Sequence, residues 1–186
     1  MTKAFRITSP ISTEAIKSLR AGDQVLLSGV VFTGRDAAHK RMSDLLTAHR
    51  TLPFDICGQT IFYAGPCPAP PGRVIGSIGP TTSQRMDAYA PRLIQEGLHV
   101  MIGKGPRSEA VVDAIRCHSG LYLAAVGGAG ALISLCVKQA EPVAFEDLGT
   151  EAIYRLTVCD LPLFVAIDCE GNSIYERKQH VREETV

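Results

Sequence analysis

A short apolar run, a glycine-bearing turn and an amphipathic helix follow one another repeatedly along this chain, and no other feature limits its fold as tightly. Residues 25–32, VLLSGVVF, are apolar and rich in β-branched side chains, as a buried strand requires. They end at Thr33-Gly34 and lead into RDAAHKRMSDLLTAHR, where Ala38, Met42, Leu45 and Leu46 recur at helical spacing. RVIGSI (73–78) reads as the next strand, passing through GPTTS into a helix that carries Met86, Tyr89, Leu93 and Ile94 and stops at Gly97. LHVMIG, GKGPRS and EAVVDAIRCH repeat the scheme, as do LYLAAV, GGAG and ALISLCVKQ. PVAFEDLG and LPLFVAID read as later strands, with Glu170-Gly171-Asn172 as a turn before SIY. Residues 52–72 read as irregular, and CPAPPG within them as loop, because proline removes donors and blocks helix. The charged tail 177–186 is expected to fray. Alternating strands and helices imply an α/β layered fold with a partly parallel sheet. No linker interrupts the pattern, so residues 1–186 read as one domain.

Composition narrows the partners. Lys plus Arg and Asp plus Glu both number 19, so no net field draws the chain to nucleic acid or to an anionic membrane. No run approaches a membrane span, and MTKAFRITSPIS lacks the apolar core of a signal peptide, which points to the cytoplasm. The cysteines at 57, 67, 117, 136, 159 and 169 form no CxxC pair. They are expected to be mostly buried, reduced thiols rather than metal ligands or disulfides.

In α/β folds ligands gather where strands end, so the turns decide the chemistry. Thr33-Gly34-Arg35-Asp36, GPTTS followed by Arg85, and Gly103-Lys104-Gly105 each bring a cation to or near a turn, as a small dianion requires. Arg35 opposes the dipole of the helix it begins, which hints at a ligand, although a solvated arginine reads the same way. Thr81, Thr82 and Ser83 can serve as helix N-caps. Arg85 lies four residues after Thr81, so an early helix start would put a hydroxyl and a guanidinium on one side. Lys104 between two glycines could approach an anion closely or be a plain turn lysine. His39, one turn beyond Arg35, reads as structural rather than catalytic. Nucleotide motifs fail: five residues rather than four separate Gly97 from Gly103-Lys104, and Ile133 occupies the last position of a GxGxxG/A begun at Gly128. The glycines of GGAGA read as allowing close helix–strand packing, with backbone contact to a ligand as the other use.

Taken together, LSGVVFTGRDAAHKRM, GRVIGSIGPTTSQRMD, MIGKGPRS, LAAVGGAGAL and FEDLGTEAI, in this order between Ile11 and Tyr175, resemble the β-subunit or C-terminal domain of class I iron–sulfur fumarate hydratases. The β-subunits of L(+)-tartrate dehydratases are close relatives of that family. The resemblance implies a swivelling β/β/α domain and reversible hydration of fumarate to (S)-malate. It also implies a [4Fe-4S] cluster whose open iron acts as Lewis acid. Thr81 falls on the family's catalytic base, and Arg35, Arg85 and Lys104 on its substrate-carboxylate contacts. No cysteine of this chain falls in the matching motifs, so the cluster is expected on a separate α-subunit in an α2β2 assembly. A threonine base needs cationic neighbours and a route for its proton. Charge developing on the carboxylate beside the reacting carbon needs cations placed in advance. A non-catalytic carboxylate-binding module of the same fold would be betrayed by loss of Thr81, Arg85 or Lys104, and all three are present.

Overall fold

The computed structural model describes residues 4–175, so the expected fraying of 177–186 lies outside the described residues. Twelve regular elements follow one another: β1 (Phe5–Ser9), α1 (Thr13–Ser18), β2 (Gln24–Thr33), α2 (Asp36–Thr47), β3 (Thr60–Phe62), α3 (Ala90–Gln95), β4 (Val100–Gly103), α4 (Glu109–Cys117), β5 (Leu121–Ala124), α5 (Gly130–Cys136), β6 (Val137–Ala144) and β7 (Ile153–Ile167). The strands form one sheet in the order β1-β2-β3-β4-β5-β7-β6. Strands β1 to β5 are parallel, and β7 runs antiparallel to both β5 and β2, which closes β2, β3, β4, β5 and β7 into a ring. The fold is α/β with a partly parallel sheet, the class expected of a swivelling β/β/α domain.

The pleat divides the strand side chains between two cores. Val100 and Ile102 of β4 and Leu121 and Leu123 of β5 enter one core with Leu27, Phe62 and Val165. Met101 and Tyr122 enter the other, where Ile61 and Tyr63 meet Met42 of α2, Leu93 and Ile94 of α3, and Ile115 of α4. Both faces of β4 and β5 are therefore apolar and buried, which is why they read as continuous hydrophobic runs. Leu93 and Ile94 are at most 1% exposed, a burial worth about 1.5–3 kcal/mol each.

Helix α2 shows how distant segments finish local structure. Arg35 occupies its N-cap position and makes no side-chain cap bond. The carboxylate of Glu151 substitutes, accepting the Ala37 N–H at 3.2 Å. The strand expected over PVAFEDLG holds only for its first three residues and stops before the stretch that delivers Glu151. Strand β6 ends at Ala144, Phe145 turns left-handed (φ 57°), and Glu146–Glu151 form a 3-10 turn broken at Gly149.

Other expectations also shift. RVIGSI is not a strand: Gly76 N–H donates to Cys67 O (3.2 Å) and Cys67 N–H to Ser77 O (2.9 Å), so the segment folds back on the proline loop. The sheet position it would need, beside β4, is filled by β3, a strand hidden in the stretch read as irregular. Helix α5 ends at Cys136, and Val137-Lys138-Gln139 start β6 because Val137 pairs with Val158 on β7. β7 itself runs well upstream of LPLFVAID. The turn at Glu170-Gly171-Asn172 is present, with Gly171 left-handed (φ 86°) and Asp168 Oδ1 accepting the Glu170 and Asn172 N–H groups at 3.0 Å.

Candidate functional site

The parallel strands β2, β3 and β4 end side by side, and each carboxyl end passes directly into a polar segment. Arg35 follows β2, Tyr63 follows β3, and Lys104 follows β4. The GPTTS segment returns to the same edge. Thr81 donates its N–H (2.8 Å) and its Oγ1–H (2.9 Å) to the Tyr63 carbonyl, and Thr82 forms an isolated parallel bridge with Lys104. The hydroxyl's lone pairs thus remain available to a ligand.

Arg35 and Arg85 converge on one carboxylate. Asp36 Oδ1 lies 3.9 Å from Arg35 Nε and 3.5 Å from Arg85 Nη1. Neither contact is a hydrogen bond, so Arg35 Nε and Asp36 Oδ1 are buried polar atoms without a hydrogen-bond partner. Glu151 completes the arrangement by pairing with Arg35 Nη2 at 3.2 Å, while Arg35 Cδ packs where Gly65 has no side chain (3.1 Å from an ideal Cβ). Beneath Arg35, the fully buried His39 places Nδ1 2.9 Å from the Arg35 carbonyl, and its ring meets Tyr63 edge-on at 5.1 Å. Burial lowers the His39 pKa to about 4, so at neutral pH the ring is uncharged; Nδ1–H donates to Arg35 and Nε2 has no partner.

A buried ion pair joins the GPTTS segment to the turn after β4. Arg107 Nε donates to Asp87 Oδ1 (2.7 Å), and Asp87 Oδ2 accepts the Ser108 N–H (2.6 Å) at the start of α4. The Arg107 guanidinium lies over the rings of Tyr63 (5.2 Å) and Tyr122 (5.0 Å). On the far side, the GGAG turn packs against the approach to Thr81. Ile78 N–H donates to Gly130 O (3.1 Å), and a Cβ at Gly130 would come within 2.6 Å of Ser77 Oγ. Close packing is what Gly130 permits, whereas Gly128 takes a left-handed backbone (φ 80°) in open space.

All four residues singled out in the sequence, Arg35, Thr81, Arg85 and Lys104, belong to this edge of the sheet. The route differs from the expected one. Thr81 is not at a helix N-terminus, because Ser83–Met86 form a 3-10 turn and Thr82 makes no cap bond. No helix dipole supports its hydroxyl, and Arg85 meets Asp36 through tertiary folding rather than helical stacking. Arg107 and Glu151 escaped the sequence reading. A turn arginine looks solvated until its partner Asp87 is known, although the unused acids in FEDLGTE were a signal. The cysteines need correction: Cys57, Cys67, Cys117 and Cys159 are exposed and Cys136 and Cys169 half-buried, since they fall on loops, helix ends and the outer face of β7. They are scattered, and among the described residues no group of three His, Cys, Asp or Glu could hold a metal ion, so these residues do not fit an iron–sulfur cluster. Among the described residues no helix is long and apolar enough to cross a membrane.

Comparison with known proteins shows the family of the chain. The family model described as Fumarase C-terminus matches residues 2–178. The anaerobic class I fumarate hydratase of Escherichia coli K12 is 40% identical over 153 residues, which is 81% of this chain and 28% of that protein. Fumarate hydratase 2 of Leishmania major is 38% identical over 159 residues, covering 84% of this chain and 28% of the relative. A putative L(+)-tartrate dehydratase subunit beta of Methanocaldococcus jannaschii is 37% identical over 172 residues, covering 89% of this chain and 88% of the relative. The chain thus spans 28% of the length of each of these two fumarate hydratases. With the family model covering nearly all its residues, the chain belongs to the fumarase C-terminal family.

Proposed function

We propose that this chain is the β-subunit of a class I fumarate hydratase and catalyses the reversible hydration of fumarate to (S)-malate together with a separate α-subunit. The observation that carries this reading is the convergence of Arg35 and Arg85, with a buried Arg35 Nε–H that has no hydrogen-bond partner. An unsatisfied buried donor on a cation costs free energy that a ligand carboxylate recovers. In this reading Arg35, Arg85 and Lys104 hold the two carboxylates of the substrate. Thr81, oriented by the Tyr63 carbonyl, takes the proton from the carbon beside one of them. A carbonyl oxygen does not accept that proton onward, so Thr81 needs a further acid–base group, which the reading assigns to the α-subunit. The reading places the [4Fe-4S] cluster there too, in an α2β2 assembly in the cytoplasm; among the described residues of this chain no group of three His, Cys, Asp or Glu could hold a metal ion.

One observation favours a second substrate. A putative L(+)-tartrate dehydratase subunit beta is 37% identical over 89% of this chain, close to the 40% of the Escherichia coli fumarate hydratase, so identity supports tartrate as a second substrate. Anaerobic turnover of the chain, alone and with its cognate α-subunit, on fumarate, (S)-malate and L(+)-tartrate separates the readings. Activity only in the complex, with fumarate and malate preferred, is the expected result. Preference for tartrate changes the substrate and keeps the site; an inactive complex loaded with its cluster removes the enzymatic reading in favour of a binding module.

Arg85→Lys in the complex is expected to lower kcat/KM about 10-fold or more, because a single ammonium cannot reproduce the fork that grips a carboxylate. Steady-state kinetics on both substrates check this, and unchanged values would leave Arg85 as a partner of Asp36 alone.

A further inference from the structure

Two buried hydroxyls next to the site are unaccounted for by the roles above. Ser83 and Tyr122 are both fully buried, in a core where alanine and phenylalanine would satisfy packing. Lys104 N–H donates to Ser83 Oγ (3.0 Å), and Ser83 N–H donates to Lys104 O (3.0 Å), so one serine grips both polar groups of the Lys104 backbone. Ser83 Oγ lies 2.8 Å from Tyr122 Oη, and Tyr122 donates to Gly105 O at 2.9 Å.

A phenol has one hydrogen, which here goes to Gly105, so between the two hydroxyls serine is the donor. The bonds then run in one direction, from Lys104 N–H to Ser83 O–H to Tyr122 O–H to the Gly105 carbonyl, and the Lys104-Gly105 peptide closes the circuit. Gly105 is left-handed (φ 83°), which turns its carbonyl back towards the tyrosine. Gly103 leaves the room: a Cβ there would overlap Ser83 Oγ and lie 2.9 Å from the Tyr63 ring. Burial raises the Tyr122 phenol above its usual range, which keeps it protonated and able to donate. Two residues before Ser83, Thr81 is fixed to Tyr63 O by its own two bonds, so one short segment sets the positions of both Thr81 and Lys104.

We propose that Ser83 and Tyr122 are positioning residues whose hydrogen-bonded circuit fixes the Lys104 turn against the Thr81 segment, and so aims the Lys104 ammonium at a substrate carboxylate. The inference rests on the reading of the site given above and adds to it. Ser83→Ala and Tyr122→Phe remove one hydroxyl each and keep the apolar packing, so the complex is expected to assemble with its thermal midpoint shifted little.

The experiment is a set of double-mutant cycles in the assembled α/β enzyme, with kcat and KM measured anaerobically on fumarate, (S)-malate and L(+)-tartrate. Each single variant is expected to lose about 10- to 100-fold in kcat/KM on the preferred substrate, as misplacement of a binding group does. The pair together should lose little more than either alone, because both break one circuit. In a Lys104→Met background, neither substitution should cause further loss. Unchanged kinetics in both single variants, or the same fold loss with and without Lys104, would overturn the inference while leaving the functional reading intact. A wild-type complex inactive on every substrate overturns both.

Discussion

Thr81→Ala in the assembled enzyme is expected to lower kcat by about 100- to 10,000-fold, the range for removing a general base, with assembly and cluster content unchanged. The reason lies in how the residue is held. Thr81 fastens to the Tyr63 carbonyl through its backbone N–H as well as its hydroxyl, at 2.8 and 2.9 Å. Alanine keeps the first bond, and the carbonyl retains a donor, so the structural cost is about one hydrogen bond, ~1 kcal/mol. Catalysis and stability therefore separate at this position. Thr81→Ser keeps the hydroxyl and is expected to recover part of the rate. Single-turnover and steady-state rates on fumarate and (S)-malate read the effect; a Thr81→Ala complex turning over at near wild-type rate would remove the base assignment.

The parts of the fold legible in the sequence are those whose pattern is locally complete. β2 with α2, β4 with α4, and β5 each carry an apolar run and a glycine turn; β4 and β5 are buried on nearly every side chain as the runs imply, while β2 buries one face and half-buries the other. β3 was not legible, because Thr60–Phe62 is three residues long and stands beside a proline-rich loop. What makes it a strand is the slot between β2 and β4, a tertiary fact. The same slot explains the misreading of RVIGSI, which has strand composition but no unoccupied neighbour to pair with. The three hydroxyls of GPTTS were legible as a cluster, not as separate functions. Helix capping, the default use of such residues, is absent: Thr81 bonds to the end of β3, Thr82 pairs by its backbone with Lys104, and Ser83 enters the core. Arg107 was invisible for a related reason. Its burial depends on Asp87, on Tyr63 just after β3 and on Tyr122 of β5, and no window around PRS contains them.

The buried pair formed by that arginine carries the largest expected effect on stability. Arg107 has a side chain 0% exposed, and Asp87 is 9% exposed. Removing the cation alone, as in Arg107→Met, leaves the Asp87 carboxylate buried with only the Ser108 N–H, and breaking such a pair costs about 3–5 kcal/mol. Against a typical total of about 5–15 kcal/mol, that is a large fraction. Arg107→Met with Asp87→Asn should recover part of the deficit by removing the unpaired charge. Urea unfolding of wild type, Arg107→Met and the double variant at neutral pH measures each term. A double variant no more stable than Arg107→Met at neutral pH would show that Arg107 acts through its packing between Tyr63 and Tyr122 rather than through its charge.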